Sequence, residues 1–242
     1  MLEAGFWGFA GGASLILGAG IGVYVRFSQH VIALIMAFGA GILISALAFE
    51  LSQEAFDRGG ADAFALGLGA GAITFFLADR ALDSKGGRDR KRSGGEQEGN
   101  SSTGLVLGAL LDGIPESVAI GLTLLEGNGV GIAVVVAVFL SNVPESLAAD
   151  TGMRKAGHGR TGIMALWLGV ALISAIAAAV GYATLDGASA NVTGFIQAFA
   201  AGAVLTMLAD TMMPEAFENG GRVVGLMTSL GFALAFLLST LE

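Results

Sequence analysis

Apolar stretches of roughly 20 residues, separated by short polar breaks, follow one another along the whole chain. Each is long enough to cross the ~30 Å hydrocarbon layer of a bilayer as a helix. They run over 5–25, 31–53, 61–82, 103–125, 129–150, 161–184, 190–213 and 222–241. The breaks fall at 26–30, 57–60, 83–102, 126–128, 153–160, 186–188 and 218–221. This pattern predicts an all-α membrane protein of eight transmembrane helices, forming a single domain over 1–242. The fourth and fifth spans are parted only by 126–128, so they are expected to form a tight hairpin. The polar run at about 84–102 has too few apolar residues to build a core and reads as a disordered loop.

Composition agrees with the pattern. Of 242 residues 54% are hydrophobic and 13% charged, with mean hydropathy +0.75. A soluble domain carries about 25% charged residues. The 39 glycines suit close helix approach in a membrane, where small residues let backbones meet. A net charge of −8 argues against nucleic-acid binding, and the lack of cysteine excludes disulfides and thiolate metal ligands. The N-terminus has no basic segment ahead of its first apolar stretch, which is therefore expected to stay in place as a helix.

Basic residues orient the bundle. Arg26, Arg80, Lys85, Arg88, Arg90, Lys91, Arg92, Arg154, Lys155, Arg160 and Arg222 all fall in alternate loops, and only Arg58 lies on the other side. By the positive-inside rule both termini face outward and loop 84–102 is cytoplasmic, as in a multi-pass protein of the cell membrane.

Two segments repeat without a gap. Residues 37–60 and 198–221 share Ala37/Ala198, Phe38/Phe199, Ala40/Ala201, Gly41/Gly202, Leu47/Leu208, Ala48/Ala209, Glu54/Glu215, Ala55/Ala216, Phe56/Phe217, Gly59/Gly220 and Gly60/Gly221, 11 identities in 24 positions. They are the second and seventh spans and cross in opposite directions. Such an inverted repeat predicts a 3+2+3 arrangement with the fourth and fifth helices at the centre, a plan that places transporter ion sites near the midplane.

Those central helices carry the chemistry. Asp112-Gly113-Ile114-Pro115-Glu116-Ser117 and Ser141-Asn142-Val143-Pro144-Glu145-Ser146 each set a proline and a carboxylate about halfway along an apolar span. A charge at that depth costs at least ~2.5–3.5 kcal/mol and usually marks an ion or substrate path. Asp112 and Glu116 share one helix face, as do Ser141 and Glu145, because residues four apart stack. Pro115 and Pro144 each free a carbonyl four residues back, those of Leu111 and Leu140. Three carboxylates close together would repel one another and take up protons, whereas a divalent cation relieves the repulsion, so metal and protons should compete. The donors are all oxygen, which suits Mg, Mn or Ca and also binds Zn and Fe(II). His30 and His158 fall at loop edges, where they read as surface residues. Glu50 and Glu54 near the outer end of the second span and Asp210 and Glu215 near the inner end of the seventh are candidates for the transport path, with solvation at helix ends as the alternative.

In these motifs the chain resembles the ZIP (Zrt/Irt-like) family of divalent metal transporters, as a divergent member of bacterial type. The family's fourth helix carries His-Asn-x-Pro-Glu-Gly, and the fifth of its bacterial members a Gln/His-Asp/Glu-x-Pro-Glu-Gly form. The resemblance extends to the Ala-Phe-x-Ala-Gly opening of the second and seventh spans and to Met213-Pro214-Glu215. It implies eight helices, outward termini and a site between helices 4 and 5. Asp112 stands at the family's first histidine, Glu116 at its glutamate, and Ser141, Asn142 and Glu145 at the three ligand positions of the fifth helix. The resemblance also implies alternating access, one helix bundle sliding or rocking against the other. Asp112 for His, Gly113 for Asn, and Ser141 and Asn142 for stronger ligands depart from the pattern, so one mononuclear site of altered selectivity is expected.

The function expected is transport of a divalent metal cation into the cytoplasm, Zn2+ first by family, with Fe2+, Mn2+, Co2+ and Cd2+ as further substrates and no cofactor. A ZIP-like sensor or partner subunit that binds metal without moving it is the alternative. No His-Glu-x-x-His or Gly-x-Ser-x-Gly occurs and no span holds a histidine, so an enzyme is not expected. Family habit and small-residue helix faces make a homodimer the expected partner arrangement within the lipid bilayer.

Overall fold

The computed structural model describes residues 1–84, 102–126 and 129–240. The loop expected at 84–102 lies, but for its two end residues, outside the described residues. Among the described residues there are helices and turns but no strand. Helix α1 (Leu2–Tyr24) is followed by α2 (Gln29–Ala46), whose first turn is capped by Ser28, its Oγ accepting from the Val31 N–H at 3.3 Å. A π-helical segment, Leu47–Ser52, leads without a gap into α3 (Gln53–Asp83). Next come α4 (Ser102–Thr123), closed by a 3-10 turn at Leu124–Glu126, then α5 (Ile132–Lys155) and α6 (Arg160–Leu185). Helix α7 (Ala190–Met207) passes through a second π-helical segment, Leu208–Met212, into the short α8 (Met213–Gly220), and α9 (Val223–Ser239) follows.

Six helical runs among the described residues are long and apolar enough to cross a membrane, which makes this an all-α protein of multi-pass type. Two places separate that number from the eight stretches read in the sequence. The stretches 31–53 and 61–82 fall in one run of 55 residues, Gln29–Asp83, while 222–241 corresponds to the 17-residue helix Val223–Ser239. The long run is not uniform inside. Gly60 has φ 70° and ψ −178°, a backbone conformation that a Cβ disfavours, and the helix kinks there. Gly221 adopts φ 62° and ψ −148° between α8 and α9. The non-helical backbone of Gly60 falls within the break read from sequence at 57–60.

The helices sort into two groups. In one, α3 lies along α7, and α2 lies along both α9 and α8; in the other, α1 packs on α5 and α6, and α4 packs on α6. The groups meet chiefly where α5 touches α2 and α4 touches α7, while α4 and α5 barely touch each other. The first group encloses Met36, Ala37, Phe75, Ala201, Met207 and Met212, the second Leu15, Ala19, Ile163, Trp167 and Val170. In lipid there is little hydrophobic drive between helices, so close backbone approach has to supply the attraction. Four glycines do this at two crossings. A Cβ on Gly41 would lie 2.0 Å from the Thr228 carbonyl oxygen and one on Gly231 2.0 Å from that of Phe38, where α2 meets α9. Where α7 meets α3, the matching distances are 2.1 Å from Gly202 to Leu68 and 2.0 Å from Gly71 to Phe199.

Candidate metal centre

Both proline motifs lie inside continuous helices, Pro115 in α4 and Pro144 in α5. Every side chain singled out as a ligand is buried: Ser141 is fully so, Asp112 and Glu116 are 3% exposed, and Asn142 and Glu145 4%. Buried carboxylates are rare without partners or a functional reason, and here three occur at mid-span.

Small residues hold the α5 motif from two sides. On the α1 side, a Cβ on Gly18 would meet the Ser146 Oγ at 2.1 Å and the Val143 carbonyl oxygen at 2.3 Å. On the α2 side, one on Gly39 would meet the Pro144 Cγ at 2.9 Å and the Ser141 Cα at 3.2 Å. The hydroxyls spend their hydrogens on their own helices. Ser141 donates to the Val138 carbonyl at 3.0 Å, Ser146 to that of Asn142 at 2.9 Å, and Ser117 to that of Gly113 at 2.6 Å. The Asn142 amide nitrogen reaches the Gly11 carbonyl of α1 at 3.4 Å. A hydroxyl or amide that donates this way keeps its oxygen as an acceptor, the capacity a hard cation uses.

The sequence led to the expectation that Asp112, Glu116 and Glu145 meet around one ion. Among the described residues no group of three or more His, Asp and Glu side chains is placed to hold a metal. Helix α5 is gripped by α1 and α2 and α4 by α6, with little direct contact between α4 and α5. The candidate ligands lie on two helices, Asp112 with Glu116 on α4 and Ser141 with Glu145 on α5.

The four outlying acids differ from one another. Glu54 is clamped, one oxygen 2.6 Å from the Arg58 guanidinium and the other accepting from the Gln197 side chain of α7 at 2.7 Å. This ties the end of the second span to the seventh. Glu215 is buried, Glu50 is half-buried on the first π-helical segment, and Asp210 is exposed on the second. His30 is exposed and its ring nitrogen lies 3.1 Å from the Asn219 carbonyl oxygen.

Sequence reasoning passed over a polar stripe at four-residue spacing on α5: Asn142, Ser146, Asp150 and Arg154. It follows the seam with α1. Asp150 is fully buried with neither carboxylate oxygen hydrogen-bonded, and it lies against Gly22, where a Cβ would be 2.6 Å from its Oδ2. The Arg154 guanidinium donates to the Gly22 carbonyl at 3.2 Å and to that of Val23. The i, i+4, i+8, i+12 spacing was the signal available. No protein-family model matches the chain, and no curated protein matches it either.

Proposed function

We propose that this protein moves a divalent metal cation across the membrane into the cytoplasm, along the buried acidic faces of α4 and α5. The observation that carries the reading is the burial of Asp112, Glu116, Ser141, Asn142 and Glu145 at two proline motifs in neighbouring apolar spans. Asp112 and Glu116 supply the charge on one side; Glu145 supplies it on the other, with Ser141 and Asn142 as neutral oxygen donors. A cation arriving between the faces draws them together and relieves their mutual repulsion. The ZIP resemblance makes Zn2+ the first substrate to test, then Fe2+, Mn2+, Co2+ and Cd2+.

The same reading includes eight spans in a 3+2+3 inverted repeat. Counting the helix on each side of Gly60 separately, and α9 as the last, gives eight. Two features coincide when 161 is added to the residue number: the π-helical segments begin at Leu47 and Leu208, and Gly60 and Gly221 both have positive φ. The packing partners exchange in the same way, α2 with α9 for α7 with α3 and α5 with α1 for α4 with α6. The two groups of helices supply bodies that can rock about the contacts of α2 with α5 and α4 with α7, the motion that alternating access needs. In this reading the basic loops face the cytoplasm, with both termini outside.

The test is uptake of a divalent metal panel into proteoliposomes. Glu116→Gln and Glu145→Gln each remove a charge at nearly constant shape and should abolish uptake with normal expression. Wild-type flux in either variant refutes the site. A second reading, a metal-binding sensor or partner subunit, draws on the lack of a three-carboxylate cluster among the described residues. Metal binding to purified protein with no flux into vesicles would favour it.

A further inference from the structure

Where α1 and α5 end, the helices leave a cavity of about 380 Å³ lined by Val25, Arg26, Phe27, Thr151, Arg154 and Lys155. Three cations, with no carboxylate among the described lining residues, make it a place for an anion. We propose that this cavity binds a phosphate group, and that its depth at the ends of two apolar spans suits the headgroup of an anionic phospholipid.

The surroundings have been arranged to remove what would repel an anion. The last carbonyls of a helix carry partial negative charge. Those of Gly22 and Val23 are covered by the Arg154 guanidinium, which is thereby fixed at the cavity wall. The nearby carboxylate of Asp150 is fully buried against Gly22 and is not among the described lining residues, so it presents no oxygen to an anion in the cavity. The Thr151 hydroxyl hydrogen goes to the Leu147 carbonyl at 2.8 Å, which leaves recognition to the cations. Arg26 and Lys155 are both exposed at the rim. Next to it the Arg160 guanidinium lies 5.8 Å from the centroid of the Tyr24 ring, and Tyr24 is 79% exposed. A tyrosine with flanking arginines is the usual dressing of a span at headgroup depth. Val25 and Phe27 give the glycerol and first methylenes of a lipid an apolar wall, a feature a free phosphate does not need. Basic pockets of this kind between membrane helices hold anionic headgroups.

The test uses the purified full chain in detergent, titrated with phosphatidylglycerol, with phosphatidylcholine and, separately, with glycerol phosphate, bound ligand being read by native mass spectrometry. Phosphatidylglycerol should be retained well above phosphatidylcholine. The double change Arg26→Ala with Lys155→Ala should weaken its binding about 25-fold, taking about fivefold for each cation near the surface. The charge-conserving pair Arg26→Lys with Lys155→Arg should retain it, which separates lost charge from lost folding. Tighter binding of glycerol phosphate than of the lipid, lost in the same alanine variant, would keep the phosphate site and assign it to a soluble ligand. Equal retention of both lipids without glycerol phosphate binding, or wild-type affinity in the alanine variant, overturns the proposal.

Discussion

Placing an alanine at Gly41 or Gly202 tests the helix crossings and the internal repeat together. In each case the new methyl group would sit 2.0 or 2.1 Å from a carbonyl oxygen of the facing helix, Thr228 or Leu68. The opposing atom is backbone, so no rotamer change can relieve the clash. Ordinary contact begins near 3.4 Å, and the two helices must therefore separate by more than an ångström. Opening a gap of even 0.5–1 Å forfeits about a quarter to a half of the attraction across it. Overpacking typically costs about 1–3 kcal/mol, sometimes more, and helix propensity returns at most about 1 kcal/mol for Gly→Ala. A net loss of about 1–2 kcal/mol per site is expected.

Gly69 is the internal control, two residues from Gly71 on the same helix. A Cβ added there would have nothing within 4 Å, so Gly69→Ala should keep or slightly raise stability. Thermal denaturation of purified protein in detergent, followed by fluorescence-detected size exclusion, reads all three. If the repeat reflects shared construction, Gly41→Ala and Gly202→Ala should lower the midpoint by similar amounts. A variant at either site as stable as wild type would refute the crossing geometry, and a large loss in only one would refute the equivalence.

Three further outcomes follow from particular contacts. Gln197→Leu removes the amide that donates to Glu54 at 2.7 Å and leaves that carboxylate to Arg58 alone; a loss of about 1–3 kcal/mol is expected in the same denaturation assay. Arg154→Ala exposes the Gly22 and Val23 carbonyls and leaves the buried Asp150 without its cation, so a loss of about 1.5–3 kcal/mol is expected, with Arg154→Lys recovering part of it. Metal uptake should fall as external pH drops from neutral, because protons bind the carboxylate oxygens a cation needs and metal binding releases them. A rate that stays flat from pH 7.5 to 5 would contradict carboxylate ligation.

What the sequence made legible was what periodicity and composition encode. Apolar length located the long helices, and the break at 57–60 was visible from its polar residues and paired glycines, where Gly60 has its non-helical backbone. The π-helical segments Leu47–Ser52 and Leu208–Met212 were invisible, since the apolar lengths that locate spans do not distinguish a π-helical turn from an α-helical one. Burial of Asp112, Glu116 and Glu145 was legible because a carboxylate beside a proline in an apolar span has few structural reasons to be there. Whether their oxygens meet was not legible. Spacing of four places two side chains on one face of one helix, but the angle between α4 and α5 depends on what grips each from behind, and those contacts come from Gly18, Gly39 and α6.

The same limit explains why the two faces matter more to the proposed transport than a finished cage would. A rigid trio of carboxylates would bind a divalent ion tightly in one conformation, and a transporter has to release what it binds. Here the charges are split between α4, which rests on α6 and α7, and α5, which rests on α1 and α2. Each helix therefore borders both groups, and a shift at the α2–α5 or α4–α7 contacts that moves α5 relative to α4 would change the separation of Glu116 from Glu145. Affinity then varies with conformation, since attraction between a cation and a carboxylate falls with distance. On the proposed function, this would tie metal release to movement at the α2–α5 and α4–α7 contacts. Gly39, whose Cβ would meet Pro144 at 2.9 Å, lies on the first of these contacts. Gly39→Ala should consequently slow uptake in proteoliposomes more than it weakens metal binding by the purified protein. Equal loss of both would place Gly39 in the binding step and sever the link between bundle motion and release.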